Sequence, residues 1–133
     1  MIEAYGGSCH CGRVRFRVRF SAGQGSFKCN CTVCTKSRAW LARVDADALR
    51  LLSGDAELAQ YRFGSRSIEH CFCSHCGVNV FGKGVDQQGA AFYAVSLAAL
   101  DDIPAKRLAE LPIHHFNGRH DDYAHPPQDI SSL

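Results

Sequence analysis

Seven of the eight cysteines fall into three short clusters: Cys9-His10-Cys11, Cys29-Asn30-Cys31-Thr32-Val33-Cys34 and Cys73-Ser74-His75-Cys76-Gly77. Cysteines two or three positions apart aim two sulfurs at one point, the way a chain presents ligands to zinc. The glycine after Cys76 permits the tight backbone of a zinc knuckle. A structural site takes four ligands, usually as two pairs from separate segments. Cys9 and Cys11 make one such pair, and Cys73 and Cys76 the other. The middle cluster is left with three thiols, Cys29, Cys31 and Cys34, and no partner pair. Three protein ligands with one position vacant is the arrangement of a zinc that binds or transforms a substrate. Two zinc ions per chain are therefore expected. The competing readings are buried thiols that act as small hydrophobes and redox-active pairs. Cys71 could be a core residue, a spare ligand or the fourth ligand of the middle site, and that last role would close it.

The surroundings of these clusters are those of an ordinary globular protein. The 133 residues suffice for one domain, 1–133, with a real core. A composition 46% hydrophobic and 21% charged excludes a disordered chain. A formal charge of +2 is too mild to point to nucleic acid, which is not an expected partner. No apolar run approaches the ~20 residues of a membrane helix. Residues 1–6 carry no charged leader ahead of an apolar stretch, so a cytoplasmic location is expected. In a reducing compartment, clustered cysteines are ligands or catalytic groups before they are disulfides; in an exported chain eight could form four bridges.

The positioning elements read as short strands. Val14, Phe16, Val18 and Phe20 alternate strictly with Arg13, Arg15, Arg17 and Arg19, the period of a half-buried strand. The arginine face is either solvated or an anion-binding strip. Further strands are predicted at residues 39–44, 49–52, 58–63, 67–72, 78–81 and 91–97, with turn residues between them. One helix is predicted to follow Asp102 as N-cap and run to Glu110, with Pro104 in its first turn. The tail from 118 to 133 reads as irregular. The class is mainly β. His10 and His75 lie inside ligand turns, where hydrogen bonding around the sulfurs is expected of them. His70, His114, His115, His120 and His125 show no ligand-like pairing.

Three segments, taken together, resemble a known family. They are Gly7-Ser8-Cys9-His10-Cys11-Gly12-Arg13-Val14-Arg15-Phe16, the run from Cys29 to Cys34, and Phe72-Cys73-Ser74-His75-Cys76-Gly77. They are similar, in order, to motifs of the glutathione-dependent formaldehyde-activating enzymes, a family that also includes centromere protein V. Phe116-Asn117-Gly118-Arg119-His120-Asp121 looks like a late loop of bacterial members. The resemblance implies a β-tent fold of small antiparallel sheets joined by zinc. It implies structural ligands at Cys9, Cys11, Cys73 and Cys76, and ligands of a catalytic zinc at Cys29, Cys31 and Cys34. The implied activity is that of a carbon–sulfur lyase: glutathione plus formaldehyde gives S-hydroxymethylglutathione.

The chemistry of the ligands suits that activity. A free thiol has a pKa of about 8.5, and a coordinating thiol is deprotonated outright. Three thiolates leave such a zinc with a formal charge of −1, a poor electrophile that still lets a fourth, incoming thiolate act as nucleophile. Lys28, Lys36, Arg38 and Arg66 are the candidate cations for the carboxylates of glutathione. The expected function is thus a zinc-dependent lyase acting on glutathione adducts of formaldehyde or another small aldehyde. The alternative is a non-catalytic zinc module that binds a protein or nucleic acid.

Overall fold

The computed structural model describes residues 2–64 and 67–133. It is mainly β, in two sheets. The smaller sheet has the order β1-β2-β5, from β1 (Ile2–Ser8), β2 (Arg15–Ser21) and β5 (Leu49–Ser53). The larger has seven strands in the order β10-β3-β4-β9-β8-β7-β6. Its members are β3 (Ser26–Cys29), β4 (Leu41–Asp45), β6 (Leu58–Tyr61), β7 (Glu69–Cys73), β8 (Asn79–Val85), β9 (Ala91–Ser96) and β10 (Ile113–Phe116). Every pairing is antiparallel except that of β10 with β3, which is parallel. No helix among the described residues is long and apolar enough to cross a membrane.

The alternation in β2 sets the relation between the sheets. Val14, Phe16, Val18 and Phe20 are buried, whereas Arg15, Arg17 and Arg19 face solvent. Phe16 meets Phe81 of β8 edge-on at 5.7 Å, so the core lies between the two sheets. Space for the Phe16 ring comes from Gly7 on β1, where a Cβ would lie 2.3 Å from its tip. The free edge of β1 is covered by the segment after β9. Asp101 N–H donates to the Gly6 carbonyl at 2.8 Å, and Asp102 accepts the Gly6 N–H at 2.8 Å. Asp102 is therefore engaged with β1 and does not cap the helix. That helix, α2, starts later, at Ala105, and ends at Glu110.

Strand β1 and three short elements were not predicted. β3 and β10 have four residues each, too few for a pattern. The helix α1 (Thr32–Ser37) begins directly after Cys31.

The strand register explains why the cysteines matter together. β7 ends at Cys73, β8 begins at Asn79, β9 ends at Ser96 opposite Leu41 at the start of β4, and β3 ends at Cys29. All these ends lie on one rim of the seven-stranded sheet. Four strand spacings separate β3 from β7, about 19 Å at ~4.8 Å each.

Neighbouring glycines of β1 test which face is packed. Gly7→Ala is expected to lower the melting temperature by about 5–10 °C, an overpacking cost of about 1–3 kcal/mol. At Gly6 the nearest atom to an added Cβ is 3.6 Å away, and Gly6→Ala should melt within about 2 °C of the parent. Similar losses at both positions would contradict the assigned faces.

Candidate functional site

Two turns of similar design build the first cysteine group. After β1, Cys9 N–H donates to the Val14 carbonyl at 3.0 Å, and Gly12 N–H donates back to the Cys9 carbonyl at 3.2 Å. After β7, Cys73 N–H donates to the Val78 carbonyl at 3.1 Å, and Gly77 N–H to the Cys73 carbonyl at 2.7 Å. Gly12 and Gly77 both take left-handed φ angles, +82° and +80°, which a side chain would strain. The Cys9 and Cys11 sulfurs lie 3.6 Å apart, and those of Cys11 and Cys73 3.7 Å apart. All four sulfurs of Cys9, Cys11, Cys73 and Cys76 fall within 4.8 Å of one another. A tetrahedral zinc with Zn–S bonds of ~2.3 Å sets its sulfurs about 3.8 Å apart. The group can hold a metal ion, and its spacing and donor set fit zinc.

Backbone amides support the sulfurs as thiolates. Val14 N–H donates to Cys9 Sγ at 3.3 Å. The Cys11 and Val78 amides lower the Cys76 pKa to about 6. Cys11 is lowered by the Arg13 amide and, less strongly, by its guanidinium. Arg13 thus turns to the cysteines and leaves the arginine face of β2. His10 and His75 are exposed and, among the described residues, neither imidazole makes a hydrogen bond, although the backbone amide of His75 supports the Cys73 sulfur. Their loops point outward, and amides take the role instead.

The middle group is carried by the end of β3 and the first turn of α1. Cys31 stands at the helix N-cap with φ −59° and ψ 159°, and Cys34 follows one turn later on the same face. Cys31 N–H donates to Cys29 Sγ at 3.4 Å. The three thiols face one another. Hydrogen bonds from Cys31 and Cys34, then from the Cys31 and Gly118 amides, hold Cys29 well below the ordinary thiol range. The proximity of Cys29 in turn pushes Cys31 and Cys34 up. One proton leaves this trio readily, and the next two leave only against like charge that a cation would offset. The trio is looser than the first group. Among the described residues, the set of Cys9, Cys11, Cys73 and Cys76 alone has three or more metal-capable side chains within 4.8 Å.

Residues far along the chain complete the middle group. A Cβ on Gly118 would lie 2.4 Å from Cys29 Sγ, so only glycine lets this backbone press on the sulfur. Asn30 Nδ2 donates to Asn117 Oδ1 at 2.9 Å, and Arg119 N–H donates to Asn30 Oδ1 at 3.0 Å. Arg119 Nε donates to the Asn30 carbonyl at 3.0 Å. These bonds clamp the loop 117–119 onto the Cys29–Cys31 turn. Burial, then the charges of Cys29 and Cys31, raises the pKa of the Tyr123 phenol.

A small pocket beside the sulfurs is lined by Lys28, Cys29, Cys34, Thr35, Arg38 and Leu133. Of the four predicted cations, Lys28 and Arg38 line it; Arg38 Nη1 donates to the Ser132 carbonyl at 2.5 Å. Lys36 is exposed on α1, and Arg66 lies outside the described residues. Cys71 is buried in β7, four strand spacings from β3 and with its thiol 3.8 Å from the Glu69 carbonyl. It is a core residue and does not reach the middle group.

With this geometry in view, comparison with known proteins is decisive. The profile of the glutathione-dependent formaldehyde-activating enzymes matches residues 4–118. The chain belongs to this family. The match spans both cysteine groups and ends at Gly118, against Cys29. The family's name describes enzymes that activate formaldehyde with glutathione. The crystal structure of a Rhodobacter sphaeroides protein, a structural genomics target, is similar with a TM-score of 0.69 and 29% identity. The likeness covers 82% of this chain and 99% of that one.

Sequence reasoning left Asn30 and Tyr123 unassigned and gave Asn117, Gly118 and Arg119 no role beyond their place in a family-like loop. The parallel pairing of β10 with β3 brings them to Cys29, and no local pattern signals that pairing.

The two groups should differ in what they hold together. A metal bound by four thiolates contributes on the order of 10 kcal/mol, comparable to a domain's whole stability. Cys76→Ser is expected to unfold or insolubilise the protein, whereas Cys34→Ser should remain folded. Thermal melts read this directly, and equal melting of the two variants would contradict it.

Proposed function

We propose that this chain is a zinc-dependent carbon–sulfur lyase that makes and breaks the glutathione adduct of formaldehyde or of another small aldehyde. The observation that carries this reading is a trio of neighbouring thiols, Cys29 at the end of β3 and Cys31 and Cys34 on the first turn of α1, with no fourth cysteine within reach. In this reading, one zinc is held by Cys9, Cys11, Cys73 and Cys76 and serves the fold. A second is held by Cys29, Cys31 and Cys34, with a position left for the substrate thiol. That ion would supply the positive charge that keeps a bound thiol ionised at neutral pH.

The protein's own groups account for the rest. Lys28 offers an ammonium at the pocket beside Cys29 and Cys34, and this suits a carboxylate of glutathione. Lys28 also lies 5.7 Å from the Trp40 ring centre, a cation–π contact that narrows its range. The substrate sulfur attacks the carbonyl carbon, a carbon–sulfur bond forms, and the π pair moves to oxygen, which takes a proton. The reverse steps release the aldehyde. The binding-module alternative would have gained support from a middle group closed by Cys71, and Cys71 lies in β7, away from that group.

Metal analysis should find two zinc ions per chain, with mild chelation removing first the one at Cys29, Cys31 and Cys34. Three ligands from one short segment bind less tightly than four from two segments. A single tightly held zinc would contradict the two-site reading. With cobalt in place of zinc, glutathione should strengthen the sulfur-to-metal charge-transfer band, and Cys31→Ser should abolish that response together with formaldehyde exchange. Lys28→Ala should weaken glutathione binding by about fivefold while leaving 2-mercaptoethanol unchanged, the loss of one exposed ion pair. Equal weakening of both thiols would remove Lys28 from carboxylate recognition.

A further inference from the structure

We propose that Tyr123 is a catalytic residue of this reaction: its hydroxyl gives a proton to the aldehyde oxygen as the carbon–sulfur bond forms and takes it back as the bond breaks. The assignment rests on the thiol-adduct reading above, and it concerns a residue beyond the 4–118 family match.

The placement of the hydroxyl follows from the chain. Asn117 and Asp122 exchange backbone hydrogen bonds at 3.1 and 3.0 Å, so residues 118–121 form a closed turn and Tyr123 returns beside Phe116. Phe116 is paired with Cys29 across the β10–β3 register, and the Tyr123 ring meets it edge-on at 5.9 Å. The ring is thus fixed to the strand that ends in a cysteine of the trio. The Cβ position of Gly118 is 3.2 Å from Tyr123 Oη and 2.4 Å from Cys29 Sγ. Hydroxyl and sulfur are therefore at most about 5.6 Å apart, the sum of the two. An aldehyde bonded to a thiol held at this trio would lie at a group of sulfurs flanked by this hydroxyl.

The hydroxyl is also free to act. Tyr123 is 59% exposed, and its hydroxyl makes no hydrogen bond among the described residues. Two other proton carriers of this region each have a hydrogen-bond partner. The Nδ1 atom of His120 is bound to Asn117 Oδ1 at 3.0 Å, and the Thr35 hydroxyl faces the Arg119 guanidinium at 3.5 Å. The chemistry balances. Sulfur supplies the electron pair of the new bond, the carbonyl π pair becomes a lone pair on oxygen, and the phenol proton neutralises it. The phenolate is reprotonated from water. A hemithioacetal alkoxide is a stronger base than an ordinary phenolate, so proton transfer to the alkoxide is favoured.

Tyr123→Phe tests the assignment because it keeps the ring and removes only the hydroxyl. The variant should keep its metal content, its melting temperature and a glutathione Kd within about twofold of the parent. Its kcat for formaldehyde–glutathione exchange should fall about 100-fold, within the range for loss of a general acid. A second reading is independent of turnover. By calorimetry, the parent should prefer S-(2-hydroxyethyl)glutathione to S-propylglutathione, a pair matched in size, by about fivefold, the effect of one hydrogen bond. The variant should bind both alike. A parental kcat in the variant, or an unchanged ligand preference, overturns the tyrosine assignment alone. So does a rate loss matched by loss of metal or of glutathione affinity. If the parent protein neither binds glutathione nor exchanges formaldehyde, the thiol-adduct reading falls and this assignment falls with it.

Discussion

Four sulfurs drawn from segments 62 positions apart converge within 4.8 Å of one another, and like charge makes that convergence conditional. At 3.7 Å two thiolates repel each other. Amide donors from Cys11, Val14 and Val78 relieve part of this. A divalent cation held there would relieve the rest and turn a repulsive cluster into a cross-link. The consequence is architectural. Cys9 and Cys11 belong to the turn between β1 and β2 of the small sheet, Cys73 and Cys76 to the turn after β7 of the large one. The Phe16–Phe81 contact packs the sheets face to face, and the four sulfurs bring turns of both sheets together at one rim.

The same rim carries the second group, and the difference between the two follows from how each is assembled. The first draws on two distant turns of matching design. The second draws its sulfurs from one stretch of six residues and owes its order to a lid, the loop 117–119, held by Asn30 and Arg119. A group built from one segment, with its remaining side covered by a turn and a pocket, suits exchange of a ligand better than permanent closure. In the proposed reading, the cross-link and the chemistry are thus about 19 Å apart on a shared rim, so ligand exchange at one need not loosen the other.

Much of this was legible before any coordinates, wherever the signal was local. The β2 alternation and the spacing of the cysteines carry their meaning within a few residues. What escaped depends on contacts distant in sequence. β1 reads poorly because Gly6 and Gly7 look like a turn; Gly7 is there to admit the Phe16 ring. Asp102 has the form of a helix cap, but the edge of β1 claims its carboxylate first. Arg13 belongs to the alternating run by pattern and to Cys11 by position. His10 and His75 sit between ligands in sequence and outside them in space. The lid shows in the sequence only as the 116–121 segment that resembles a family loop; its place against Cys29, and Tyr123, escape because a parallel pair of four-residue strands delivers them.

Zinc-edge X-ray absorption on the intact protein tests the central claim most directly, since it counts sulfur neighbours without altering a residue. One centre with four sulfurs and one with three give a mean of about 3.5 sulfurs per zinc at ~2.3 Å, the remaining neighbour being lighter. Addition of glutathione should raise the mean to about 4. A mean of 4 sulfurs before any thiol is added, unchanged afterwards, would mean that both centres are closed by the protein and would contradict the account.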